Sequence, residues 1–254
     1  MQEPIHHILT QHNILHHENE GIQICQVHGP HEGITLTKAL LYELVDQKTA
    51  LYLSGGKTPK SLYEKLAVEE QLLPGAVGIV DERFGKKFHP TSNEKMLQET
   101  GLLRYLQMRS IPFYPILQQD KNREETAEAY DQQLRELNTI FPKSIAVMGI
   151  GTDGHTAGIA PNRSDFINPF FSSEQKHLLV SEFNDKKSFY QERVGMTFLG
   201  LSMMDLLVVL VFGEDKKDAL TAMFTEGSED ALPSRFYKRP AIAQKTLLIT
   251  DLSF

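Results

Sequence analysis

Cysteine is almost missing: the 254-residue chain holds one, Cys25. A single thiol cannot close an intramolecular disulfide, so a disulfide-stapled secreted scaffold is excluded and a reducing, cytoplasmic setting is expected. Cys25 sits on an apolar run and reads as core rather than nucleophile. Long hydrophobic runs are also lacking, and nothing approaches the ~20 residues that a membrane-spanning helix requires. The opening Met1-Gln2-Glu3-Pro4-Ile5-His6-His7 has no basic stretch followed by an apolar core, so no secretory signal is expected. Positive charge is in deficit, with 26 Lys and Arg against 33 Asp and Glu and a net charge of -7. That argues against a nucleic-acid-binding surface, although a local cationic pocket remains open. The phosphate-loop pattern G-x-x-x-x-G-K-[ST] and the nucleophile elbow G-x-S-x-G are both absent. The second absence makes Ser54 a poor nucleophile.

With 41% hydrophobic residues, the chain is long enough for one large α/β domain with a filled core, spanning 1–254. Its first twenty residues form a His-rich leading segment: His6, His7, His12, His16 and His17 are half of the ten histidines. His12 and His16 would share one face of a helix, but no acidic or thiol ligand stands at a matching spacing. A solvated segment without metal is expected there.

Beyond it, apolar runs and helical periods alternate. Ile22–Val27, 50–53, 76–80, 144–149, 178–181, 206–212 and 247–250 read as strands. Residues 32–47, 61–66, 122–138 and 213–224 read as helices, with Asn122 capping and Glu125 at its third position. Another helix opens near Ser92 or Asn93, either of which suits a cap. Two prolines make 111–116 an edge strand. Such alternation predicts a parallel sheet with helices on both faces. The strand 206–212, the most hydrophobic, should be central, and 247–250 should close the sheet.

Two strand ends carry chemistry. Strand 144–149 stops at Gly149, Gly151 and Gly154, with Asp153 and His155 between and beyond them. Histidine is the side chain that exchanges protons near neutral pH, and a neighbouring carboxylate can fix its tautomer. Strand 50–53 runs into Ser54-Gly55-Gly56-Lys57-Thr58-Pro59 and then a helix. Exposed amides at a helix N-terminus favour a phosphate, with Lys57 supplying charge and Ser54 and Thr58 hydroxyls. Asp81-Glu82-Arg83 follows a third strand, and Arg193 heads a later apolar one.

Taken together, Leu53-Ser54-Gly55-Gly56-Lys57-Thr58-Pro59, Asp81-Glu82-Arg83 with Ser92-Asn93, the segment from Gly149 to Ala157, and Arg193-Val194-Gly195-Met196-Thr197 resemble one family. It is the 6-phosphogluconolactonase branch of the glucosamine-6-phosphate isomerase/6-phosphogluconolactonase family. The resemblance implies a Rossmann-like three-layer α/β/α fold and hydrolysis of 6-phospho-glucono-1,5-lactone to 6-phosphogluconate, without cofactor or metal. It implies that His155 activates water with Asp153 beside it. It also implies that Ser54, Gly55, Gly56, Lys57, Thr58, Asp81, Arg83, Lys186 and Arg193 form the substrate and phosphate site. The expected partner is a small sugar phosphate, with neither nucleic acid nor membrane, in a monomer or a homodimer. The sequence departs from the lactonase pattern at Lys57, at Asp185-Lys186-Lys187-Ser188 and in the loop after His155. Two alternatives are a glucosamine-6-phosphate deaminase and a non-catalytic sugar-phosphate-binding protein. The deaminase pattern carries a Glu where Ala160 stands, and alanine cannot shuttle a proton.

Overall fold

The computed structural model describes residues 2–162, 178–184 and 191–254. Among these, the strands are β1 (Leu15–Asn19), β2 (Ile22–Gln26), β3 (Thr49–Leu53), β4 (Ala76–Ile79), β5 (Asp81–Arg83), β6 (Phe113–Tyr114), β7 (Lys143–Gly149), β8 (Val180–Asn184), β9 (Glu192–Met196), β10 (Leu206–Val211) and β11 (Thr246–Thr250). The helices are α1 (Gln2–Gln11), α2 (Pro30–Leu44), α3 (Lys57–Glu69), α4 (Asn93–Glu99), α5 (Leu102–Met108), α6 (Arg123–Ile140), α7 (Phe198–Ser202), α8 (Lys217–Met223) and α9 (Pro240–Ala243).

Eight strands form the main sheet in the order β1-β2-β11-β10-β7-β3-β4-β6. Only the β1–β2 pair is antiparallel; the six other pairings are parallel. Every residue of β3, β4, β10 and β11 is buried. That is the signature of parallel strands covered on both faces, where a continuous apolar run replaces alternation. Helix α2 turns Ile34, Leu36, Leu40, Leu41 and Leu44 inward at helical spacing. Helix α6 begins with a full capping box, in which Asn122 and Glu125 each satisfy the other's backbone amide. One apolar cluster runs from Ile5 to Leu252.

The expected mixed α/β architecture with a mostly parallel sheet is therefore present, β10 is central and β6 is an edge strand. Three expectations need correction. First, the leading segment is structural. Ile5, Ile8, Leu9 and Ile14 are buried while the five histidines are exposed. The histidines masked an i, i+3, i+4 apolar stripe. His12 follows the end of α1 and His16 lies in β1, so they share no helical face. Second, β11 lies between β10 and β2, inside the sheet. Third, β5, β8 and β9 leave the main sheet and pair as a small antiparallel sheet, β5-β9-β8. Gly195 permits this close pairing, because a Cβ there would meet the Asp81 Cβ at 2.8 Å.

If α1 is part of the core, Leu9→Ala should cost about 2–5 kcal/mol, as for other buried leucines. Equilibrium denaturation in urea measures this; a change below ~0.5 kcal/mol would return the segment to solvent.

Candidate active site at the reversal of strand order

The chain lays down β3, β4 and β6 outward in one direction, then returns to add β7, β10 and β11 in the other. The order reverses between β3 and β7. In open α/β sheets, the loops beyond such a point diverge and leave a crevice at the carboxyl ends of the strands. Both segments singled out from the sequence border it. Leu53 is in register with Val147, and the Ser54 N–H donates to the Val147 carbonyl at 3.0 Å. Adjacent strands lie ~4.8 Å apart, so the two loops start one strand spacing from each other.

On the β3 side, Gly56 caps α3 with φ 109°, a left-handed conformation that suits glycine, and no side chain caps the helix. The first-turn amides are thus open to an anion. The Ser54 hydroxyl is buried and has no hydrogen-bond partner among the described residues. Lys57 is exposed, and Thr58 accepts a hydrogen bond from the Lys216 ammonium at 3.2 Å. Lys216 lies just beyond β10, and partial burial lowers its pKa. Sequence reading missed it as a site residue; its signal was a lysine three residues after the glycine that ends the most apolar strand.

A cleft of about 210 Å³ adjoins this turn, lined by Gly56, Lys57, Lys60, Arg83, Thr91 and Asn93 among others. The Arg83 guanidinium donates to the Thr91 carbonyl at 2.8 Å and to Asn93 Oδ1 at 2.9 Å. Its neighbour Asp81 faces a different cation. Arg193 Nη1 lies 3.3 Å from Asp81 Oδ2, with both side chains about 10% exposed. Gly158, at φ +70°, presses on this pair; a Cβ there would stand 2.7 Å from Asp81 Oδ2. The loop that carries His155 thereby reaches back to β5 and β9. Lys186 lies outside the described residues.

On the β7 side, Asp153 Oδ1 lies 2.6 Å from His155 Nδ1 and also accepts the His155 backbone N–H at 3.1 Å. The pairing assigns the Nδ1 proton to the carboxylate side and leaves Nε2 as the acceptor. Partial burial alone would raise the Asp153 pKa, but the hydrogen bond and charge of His155 outweigh it and hold the carboxyl at about 2. The imidazole lies against Gly151, where a Cβ would meet its Cε1 and Nδ1 at 2.1 Å. Thr156 pins the far end of the turn, donating to the Gly149 carbonyl at 3.0 Å and meeting the buried Tyr237 hydroxyl at 2.6 Å.

Fold and site together define an α/β protein with an uncapped helix N-terminus after β3 and an imidazole–carboxylate pair after the adjacent parallel strand β7. The chain belongs to the glucosamine-6-phosphate isomerase/6-phosphogluconolactonase family, whose sequence profile matches residues 26–247. It is 30% identical over 194 residues to a 6-phosphogluconolactonase of Nostoc sp., covering 72% of this chain and 75% of that one. A 6-phosphogluconolactonase of Synechocystis sp. is 31% identical over 196 residues, covering 72% and 75%. A solved 6-phosphogluconolactonase from Plasmodium vivax superimposes with a TM-score of 0.74 at 16% identity, covering 98% of this chain and 94% of that one, a likeness of fold.

The depressed Asp153 pKa predicts a sign. The pair stabilises the folded state above the unfolded carboxyl pKa of ~3.9 and loses that contribution as pH falls towards about 2. Wild type should therefore melt above Asp153→Asn at pH 6, with the gap shrinking below pH 4. A gap independent of pH in thermal melts would contradict the pairing.

Proposed function

We propose that the protein hydrolyses 6-phospho-glucono-1,5-lactone to 6-phosphogluconate. The observation that carries this reading is that the loops bearing the anion turn and the His155–Asp153 pair leave two adjacent parallel strands, β3 and β7. The family and the named activity of its relatives support the substrate.

The phosphate dianion docks on the amides of Gly55 and Gly56, beside the Ser54 and Thr58 hydroxyls. Lys216, Lys57 and Arg83 supply opposing charge. Asp81, a carboxylate, cannot attract phosphate; it holds Arg193 at the edge of the crevice instead. With one end of the substrate fixed, its lactone carbonyl lies near His155. Neutral His155 takes a proton at Nε2 as water adds to C1. The tetrahedral intermediate collapses, the C1–O5 bond breaks, and the imidazolium returns the proton to the departing O5. Asp153 holds the ring and offsets its transient positive charge. Deamination of glucosamine 6-phosphate is disfavoured at Ala160, which is buried and has no proton to move.

The sugar phosphate is the partner in this reading, and the cytoplasm is the setting. The one thiol, Cys25, agrees: it is buried, and burial raises its pKa to about 12, so it stays protonated and unreactive. Among the described residues, no helix is long and apolar enough to cross a membrane.

A coupled assay on freshly made lactone, corrected for spontaneous opening and run beside glucosamine 6-phosphate, tests the reaction. His155→Ala should lower kcat by roughly 10²–10⁴-fold with little change in KM. Unchanged turnover would remove His155 from the role. Lys216→Ala should raise KM by about tenfold for the phosphorylated lactone, the scale of one lost charge-assisted hydrogen bond. An equal effect on unphosphorylated gluconolactone would count against a phosphate contact.

A further inference from the structure

Two buried groups outside the steps above tie the phosphate end together. Glu82 is fully buried, yet its carboxylate accepts three backbone N–H groups: Arg83 at 2.8 Å, Asn93 at 2.7 Å and Glu94 at 2.9 Å. Two of these amides open α4, so Glu82 clamps the start of that helix to β5. Burial pushes its pKa up to about 7 against the pull of those amides.

The clamped residue is Asn93, itself 2% exposed. Its Nδ2 donates to the Asp81 carbonyl at 2.6 Å, and its Oδ1 accepts from Arg83 Nη1 at 2.9 Å. The amide orientation follows from its partners, because guanidinium only donates and a carbonyl only accepts. The other side of the same amide is covered by the anion turn. A Cβ on Gly55 would stand 1.8 Å from Asn93 Oδ1 and 2.2 Å from Cγ. Glycine at 55 thus lets the backbone lie directly on the Asn93 side chain. One amide therefore touches both the turn whose N–H groups face the phosphate and the arginine that lines the adjoining cleft.

We infer that Asn93, clamped by Glu82, is the positioning residue of the phosphate end, setting the Gly55 turn and the Arg83 guanidinium relative to each other. It acts through these two groups and touches no reacting atom. This inference rests on the phosphate-site reading given under Proposed function.

The test compares Asn93→Ala and Glu82→Gln with wild type on the phosphorylated lactone and on unphosphorylated gluconolactone. KM for the phosphorylated substrate should rise about tenfold, with kcat within about threefold, because ground-state and transition-state binding fall together. The kcat/KM for the unphosphorylated lactone should not change. Calorimetric titration with inorganic phosphate should show the same weakening in both variants. A lowered melting temperature with unaltered KM and phosphate affinity would make the role purely structural and overturn the inference, as would equal losses on both substrates. Asn93→Ser, smaller and still polar, supplies the comparison if the alanine variant does not fold. Phosphate titration also separates the two ideas. If wild type binds phosphate but hydrolyses no lactone, the reaction assignment fails while the Asn93 result still stands or falls alone.

Discussion

The parallel pairing of β3 with β7 is the constraint on which the site depends. These strands are about 90 residues apart in sequence, and seven other elements intervene between them. Only their shared register brings the loop at 54 to the loop at 149. A one-residue slip would turn every side chain of a strand to the opposite face. With every residue of β3 buried, such a slip would find no solvent-compatible face. The site's geometry is thus enforced by packing beneath it.

Around that frame, charge is handled by pairing. Asp81 and Arg193 are both nearly buried and face each other. Glu82 is held by three backbone amides instead. Each arrangement offsets part of the desolvation that a lone buried charge would suffer. The result is a rigid floor made by β5, β9 and the start of α4. The exposed cation Lys57 and the half-buried Lys216, which donates to Thr58, both lie at the first turn of α3, where a ligand charge can meet them.

Much of this was legible in the sequence, for identifiable reasons. Apolar runs marked β3, β4, β7 and β10, because buried parallel strands need no alternation; glycines follow β3, β7 and β10, and charge follows β4. The capping box of α6 and the cap of α4 at Ser92 were readable from residue type alone. The leading segment was not, because five exposed histidines hid four buried apolar residues, Ile5, Ile8, Leu9 and Ile14. The small sheet was not, because β5 follows β4 after a single residue and looks like its tail. Lys216 and Asn93 were missed as site residues because their importance lies in what they touch. A lysine three residues after a strand-ending glycine is a weak signal, and Ser92-Asn93 marked the family and a helix cap without giving Asn93 a role at the site.

The same geometry narrows which group moves the proton. The ionisable groups to weigh are Asp153, Asp81, Glu82 and His155. Asp153 is held at about 2, so it is ionised through the neutral range and too weak a base to deprotonate water effectively. Asp81 is committed to Arg193. Glu82, with a pKa of about 7, is the carboxyl best matched to neutral proton exchange, but it is fully buried and all its described bonds are to backbone amides. Proton affinity without access to water does no chemistry. His155 is 44% exposed at its side chain, has Nδ1 fixed by Asp153, and keeps Nε2 for a water molecule. The division of labour follows: burial and pairing reserve Asp81 and Glu82 for holding the site in shape, the low pKa of Asp153 leaves it to orient the ring, and His155 is left for the reaction.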